Sequence, residues 1–130
     1  MSARTRLRHL ATARFGPLTM AALKRSNREP SDSFVYFAVD AETLDTKIGI
    51  ANDPFKRLRT LQIGSPREIV LMGTLAGGRE LEQEIHEEFD DDWIRGEWFR
   101  MSPRLTHLIA AAWEAGRRRP WETAFTGDYL

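Results

Sequence analysis

Five side chains that can do chemistry lie in the middle part of this 130-residue chain. Tyr36 falls inside the apolar run FVYFAV, Lys47 opens the run KIGIA, and Arg57 follows in a basic stretch. Glu82 and His86 are four residues apart, a spacing that puts two side chains on the same face of a helix. Such groups exchange protons, bind anions and hold hard cations. The collection is unusual for a segment with a merely structural role.

The segment 34–62 predicts a strand, a turn, a second strand and a helix. Val, Tyr, Phe and Ile are enriched on both sides of the polar tract 40–46, which is typical of a β-hairpin. Asn52, Asp53 and Pro54 predict a helix start, with a capping side chain and a proline near the first helical position. The hairpin therefore delivers a tyrosine and a lysine, and the helix after it delivers arginines.

The remaining elements follow from apolar patterning. The run EIVLMGTL at 68–75 predicts a third strand, and apolar residues at four-residue steps predict a helix over 79–91. Residues 97–100 are too few for more than an edge strand. A last helix is expected to begin at 102–103 and to stop at Gly116. The predicted fold is α+β, with a three-stranded, mainly antiparallel sheet flanked by helices.

The formal net charge of zero hides an uneven distribution. Residues 1–29 hold seven Lys/Arg against one acid, whereas residues 30–100 hold eight against fifteen. The first stretch predicts a basic arm of two short helices broken at Gly16-Pro17. The arm can track a phosphate backbone or fold back on the acidic middle. The basic residues expected to bind nucleic acid are Arg14, Lys24, Arg25, Lys56 and Arg59.

Composition excludes several other classes of protein. The chain has no cysteine, which rules out disulfides and thiolate zinc sites. No apolar run reaches membrane-spanning length, and the basic N-terminus lacks the apolar segment of a signal peptide. We therefore expect a cytoplasmic protein with no membrane partner. The expected layout is an arm and linker at 1–32, one domain at 33–116 and a tail at 117–130.

Several short motifs in the middle of the chain resemble those of the GIY-YIG nuclease superfamily. The first pieces in order are Val35-Tyr36-Phe37, nine residues, Lys47-Ile48-Gly49, then Asn52 and Arg57-Leu58. The later pieces are Leu81-Glu82, Ile85-His86, Phe89 and Gly96-Glu97-Trp98-Phe99. These later pieces resemble the small phage-type branch whose second motif reads KIG. The resemblance covers roughly residues 34–99.

The resemblance implies an endonuclease that cleaves DNA with one divalent metal, Mg²⁺ or Mn²⁺. Glu82 matches the metal-binding glutamate of that superfamily, and Arg57 matches its phosphate-binding arginine. Tyr36 matches the tyrosine that orients or deprotonates the attacking water. Its pKa would have to fall from about 10, which Lys47 or the metal could achieve. His86 is expected to act as a proton donor or a second metal contact.

The chain also departs from the superfamily pattern, and a structural interpretation stays open for each residue. Lys47 stands where most relatives carry tyrosine, and the histidine that often follows the helical arginine is missing. Tyr36 can be a core residue, Lys47 and Arg57 can be solvated, and His86 can pair with Glu82. The competing functions are an inactive nucleic-acid-binding module and an interaction domain in which the arm covers the acidic face.

Overall fold

The structure is a computed structural model, and it describes residues 32–117. The predicted arm and its candidate residues Arg14, Lys24 and Arg25 lie outside this range. In chain order the described elements are β1 (Phe34–Asp40), β2 (Thr46–Ala51), α1 (Pro54–Ile63), β3 (Ile69–Ala76), α2 (Arg79–Glu88), a 3₁₀ turn (Asp90–Asp92), β4 (Trp93–Arg95), β5 (Trp98–Phe99) and α3 (Pro103–Arg117). Within the described range, no helix is long and apolar enough to cross a membrane.

The sheet has five antiparallel strands in the order β3-β1-β2-β5-β4. The three predicted strands are confirmed as β1, β2 and β3, but the prediction of a three-stranded sheet is wrong. The expected edge strand is β5, which lies between β2 and β4, so that β4 forms the edge. A two-residue turn joins β4 to β5, and Gly96 in this turn has φ 51°, where glycine is favoured.

Alternation along the strands divides the core between two faces of the sheet. One face carries Val35, Phe37 and Ile48 against α2 and α3, and we call it the α2/α3 face. The other face carries Tyr36 and packs against α1 through Leu58, and we call it the α1 face. Because β1 is central and covered on both faces, all seven of its residues are buried.

The ends of the helices follow local chemistry. At the start of α1, Asp53 Oδ1 accepts a hydrogen bond of 3.0 Å from the Lys56 N–H, and Pro54 occupies the first turn, as predicted. Helix α2 ends at Glu88, earlier than the predicted 91, because residues 90–92 form the 3₁₀ turn. Helix α3 continues past the predicted stop at Gly116 to Arg117.

A buried aspartate shapes the turn between β1 and β2. Asp40 is 4% exposed, and its Oδ1 accepts hydrogen bonds from the N–H groups of Glu42 (2.9 Å) and Thr43 (3.2 Å). Its Oδ2 accepts a hydrogen bond of 2.6 Å from Arg67 Nε. Burial alone would raise the pKa of Asp40, but these hydrogen bonds hold the pKa below its usual value. This turn fixes the register in which Tyr36 lies opposite Gly49.

Candidate active site

The ring of Tyr36 lies across Gly49, its partner on β2. A Cβ atom added to Gly49 would lie 2.5 Å from the Tyr36 hydroxyl oxygen and 2.6 Å from Cζ. It would also lie 2.9 Å from Glu97 Oε2. Only glycine therefore leaves room for the tyrosine at this point, and the Tyr36 hydroxyl and the Glu97 carboxylate reach the same spot on β2. Tyr36 itself is only 2% exposed.

The main chain of Ile48 positions two more side chains. Its N–H donates to the carbonyl oxygen of Glu97 at 2.9 Å, and its carbonyl oxygen accepts from His86 Nε2 at 2.8 Å. The N–H and C=O of one residue in an antiparallel strand point to the same side. Strand β5 is only two residues long, so α2 rather than a strand supplies the second partner. One residue of β2 thus sets the positions of the β4–β5 turn and of His86.

The hydrogen bond to Ile48 also determines the tautomer of His86. A carbonyl oxygen only accepts, so Nε2 must carry the proton. The neutral imidazole then keeps its lone pair on Nδ1, where it can take a proton or a cation. The centre of the His86 ring also lies 4.9 Å from the centre of the buried Phe99 ring, which packs against it on the α2/α3 face.

Glu82, His86 and Glu97 bring possible metal-ligand atoms close together. One ligand atom from each of the three lies within 4.8 Å of the others. Glu82 stands one helical turn before His86 on α2 and is half-buried, as is His86. We call these three residues the carboxylate–imidazole cluster. Two carboxylates beside an imidazole can share a proton or hold a divalent cation.

Burial and the neighbouring carboxylates raise the pKa of two groups at this site. Burial and then the charge of Glu97 raise the pKa of Glu82, while His86 and Arg79 act in the opposite direction. Burial, followed by the charge of Glu97, raises the pKa of Tyr36 to about 12. Arg57 lowers that pKa and Glu82 raises it further, but their effects are smaller. The Tyr36 hydroxyl is therefore protonated at neutral pH in the described structure.

A role as a base requires the pKa of Tyr36 to fall from about 10, and burial and Glu97 act in the opposite direction. Lys47 does not figure among the charges that shift the pKa of Tyr36, whereas Glu97 and Glu82 both raise it. Lys47 and Tyr36 project to the same side of the sheet, because Lys47 pairs with Ala38, two residues from Tyr36 on the same face. Lys47 is half-buried there.

The basic residues of α1 lie on the surface. Arg57 is exposed, and its charge lowers the pKa of Tyr36. An exposed guanidinium is accessible to a phosphate group. Lys56 and Arg59 are exposed as well, and the Arg59 guanidinium lies 5.3 Å from the centre of the Phe55 ring.

Glu97 is the member of the cluster that sequence reasoning missed as a candidate metal ligand. The sequence suggests only that it braces Arg57 or a lysine. The structure places it beside Tyr36 and Glu82 instead. The available signal is its position in the tight turn before Trp98-Phe99, but the pairing of that short strand with β2 is not visible in the sequence.

A family model for the T5orf172 domain matches residues 33–114, which is more than half of the chain. The chain belongs to the T5orf172 domain family. T5orf172 domains are phage-type, nuclease-like domains related to GIY-YIG and HNH-type endonucleases. The T5orf172 match includes all five strands, the whole carboxylate–imidazole cluster, Tyr36 and Arg57. The chain has no significant match among curated proteins or solved structures.

Proposed function

We propose that this T5orf172 domain is a metal-dependent endonuclease that cleaves DNA phosphodiester bonds through a GIY-YIG-type site. One observation carries the proposal: Tyr36, Glu82, His86 and Glu97 converge at residues 48–49 of β2. They come from a strand, a helix and a turn that are far apart in sequence. A purely structural cluster would not need a half-buried carboxylate whose pKa is raised further by a second carboxylate beside it.

The carboxylate–imidazole cluster fits a divalent cation. Carboxylate oxygens are the ligands that Mg²⁺ and Mn²⁺ prefer, and positive charge between Glu82 and Glu97 would relieve their repulsion. Glu82 and Glu97 would hold the ion, and the Nδ1 lone pair of His86 offers a third ligand. A bound cation supplies positive charge to a phosphate oxygen and to the water that attacks phosphorus.

The residues around the cluster then have distinct tasks in hydrolysis. Arg57, exposed beside the hydroxyl, binds a non-bridging oxygen of the scissile phosphate. Tyr36 holds the attacking water: its hydroxyl releases its own proton to solvent as it takes one from the water, and the leaving oxygen takes a proton from solvent as its bond to phosphorus breaks. His86 keeps Nε2 on Ile48, so only Nδ1 serves the substrate or the ion. Lys47 stays a candidate second base or proton partner on the same face as Tyr36.

Nicking of supercoiled plasmid tests this proposal. Wild type should nick with Mg²⁺ or Mn²⁺ and stop when EDTA is added, and Glu82→Ala should not nick under any of these conditions. Salt-dependent binding of DNA without any nicking would instead select a nucleic-acid-binding module with the same fold. Nicking that survives both EDTA and Glu82→Ala would overturn the proposed site.

A further inference from the structure

A groove of about 600 Å³ opens beside the carboxylate–imidazole cluster, on the side of α2 that faces β4. Binding sites for small ligands occupy about 300–1,000 Å³, so the volume suits a ligand the size of a nucleoside. The groove is lined by Gln83, His86, Glu87, Asp90, Trp93 and Phe99. His86 belongs both to this groove and to the cluster, so a ligand in the groove would lie next to the candidate active site.

One wall of the groove is an aromatic ring that is both exposed and held in place. Trp93 is 52% exposed, and its Nε1–H donates a 2.9 Å hydrogen bond to the carbonyl oxygen of Gly96. A flat ring that is fixed in orientation and open to solvent is a platform on which a nucleobase can stack. Trp93 lies on the edge strand of the sheet, so packing in the core does not explain a tryptophan at this position.

The polar part of the groove is rich in hydrogen-bond acceptors. Glu87 and Asp90 contribute carboxylates, and Gln83 donates its amide N–H to Glu87 Oε1 at 3.3 Å, which leaves its carbonyl oxygen as an acceptor. Such a rim repels phosphate and favours groups that donate hydrogen bonds. Adenine, cytosine and guanine carry an exocyclic amino group that donates in this way, and thymine does not.

We propose that this groove takes one unpaired nucleobase with an exocyclic amino group, stacked on Trp93 next to the scissile phosphate. The base must be unpaired because a base inside a duplex has no free face for the indole and no free amino edge for the carboxylates. The preferred substrate is therefore DNA with a bulged or single-stranded adenine, cytosine or guanine beside the cleavage point. This inference rests on the proposed endonuclease function.

Binding in EDTA separates base recognition from cleavage. Fluorescence anisotropy would compare two labelled duplexes, one with a single unpaired adenosine and one with an abasic residue at the same position. Wild type should bind the adenosine duplex more tightly by about 5- to 100-fold, the range expected for stacking of one base. Trp93→Ala should bind the two duplexes equally, and Trp93→Phe should keep part of the preference for the adenosine duplex. Ile94→Ala, which removes another exposed apolar side chain next to Trp93, should behave like wild type.

Two results would overturn the inference: equal binding of both duplexes by wild type, or an undiminished difference in Trp93→Ala. A melting curve of each variant shows whether a loss reflects unfolding, and the Trp93→Phe variant keeps the test decisive if Trp93→Ala fails to fold. Nicking by wild type without any base preference would retain the endonuclease and reject the groove. A base preference without nicking would retain the groove and reject the endonuclease.

Discussion

At the scale of single residues, Gly49 determines whether Tyr36 reaches the carboxylates. A methyl group at Gly49 would overlap the Tyr36 hydroxyl and Cζ and crowd Glu97, and the Tyr36 ring is enclosed by the core. Gly49→Ala should therefore displace the tyrosine, lower the free energy of unfolding by about 1–3 kcal/mol and abolish nicking. Urea unfolding and plasmid nicking measure the two effects.

Gly78→Ala is the matched control for that substitution. A Cβ at Gly78 meets no atom within 4 Å, so this variant should nick like wild type. If Gly49→Ala unfolds and nicks as Gly78→Ala does, the close contact between Tyr36 and Gly49 does not exist in solution.

Glu82 should make the metal-free fold sensitive to pH. Because its pKa is raised, the folded chain binds the Glu82 proton more tightly than the unfolded chain does. The associated stability is fully present below the unfolded pKa of about 4.3 and is lost as pH rises through the folded pKa. Glu82→Gln imitates the protonated acid, so in EDTA its Tm should exceed that of wild type at pH 7 and match it near pH 4.

Glu80→Gln separates this effect from the loss of an acid in the first turn of α2. Glu80 and Glu82 both lie in that turn, where a negative charge interacts favourably with the helix dipole. Only Glu82→Gln should show a gain in Tm that grows with pH. A Tm at pH 7 that is lower in Glu82→Gln than in Glu80→Gln would show that Glu82 carries no such penalty.

The sequence identified much of the site residue by residue. Tyr36, Glu82 and His86 were predictable because each lies at a fixed spacing from an apolar pattern that sets its face. Glu97 was not, because its place depends on a hydrogen bond between Ile48 and a turn almost fifty residues away. Burial and Glu97 are the two largest causes that raise the pKa of Tyr36, and neither is visible in the sequence.

At the scale of elements, the β1–β2 turn depends on Asp40. Asp40→Ala would leave the N–H groups of Glu42 and Thr43 without their acceptor and remove the partner of Arg67. We expect a loss of about 1–2 kcal/mol in the free energy of unfolding at pH 7, measured by urea unfolding. Glu42 is exposed, and Glu42→Ala keeps the main-chain N–H that donates to Asp40. This variant should therefore lower the free energy of unfolding much less.

The effect of Asp40→Ala should also depend on pH. The folded pKa of Asp40 is lowered, so its contribution is present above the unfolded pKa of about 3.9 and is lost as pH falls through the folded value. The stability difference between wild type and Asp40→Ala should therefore shrink in acid. A difference that grows below pH 4 would contradict the hydrogen bonding described for this turn.

Element length explains which strands the sequence could predict. Strands β1, β2 and β3 are six to eight residues long and rich in apolar side chains, which is enough to recognise them. Strands β4 and β5 have three and two residues, too few to show a period, and all of β4 is exposed. Tertiary pairing with β2, rather than local propensity, makes β5 a strand.

At the scale of the whole molecule, charge is divided between helices. Lys56 and Arg57 are exposed on α1, whereas α2 carries five acidic residues and the 3₁₀ turn carries three. If α1 contacts the DNA backbone, Lys56→Ala and Arg57→Ala should each reduce the slope of log Kd against log salt by about 0.9, one phosphate contact apiece. Titrations in EDTA over several salt concentrations measure this slope.

Arg104→Ala provides the control for the salt titration. Arg104 already pairs with Glu88 and lies over the Phe89 ring, so its charge serves the contact between α2 and α3. Its removal should leave the slope unchanged. An equal change in slope for Arg104→Ala and Arg57→Ala would show that DNA binding follows net charge and not the surface of α1.

The rate constant for single-turnover cleavage of DNA in Mn²⁺ tests most directly whether this cluster is an active site. The comparison is between wild type, Glu82→Gln and Glu80→Gln. Each variant removes one negative charge from the first turn of α2. Glu82→Gln should be slower than wild type by at least about 100-fold, the cost of removing one group that stabilises transition-state charge, and Glu80→Gln should stay close to wild type. Cleavage by Glu82→Gln at the wild-type rate would contradict the account.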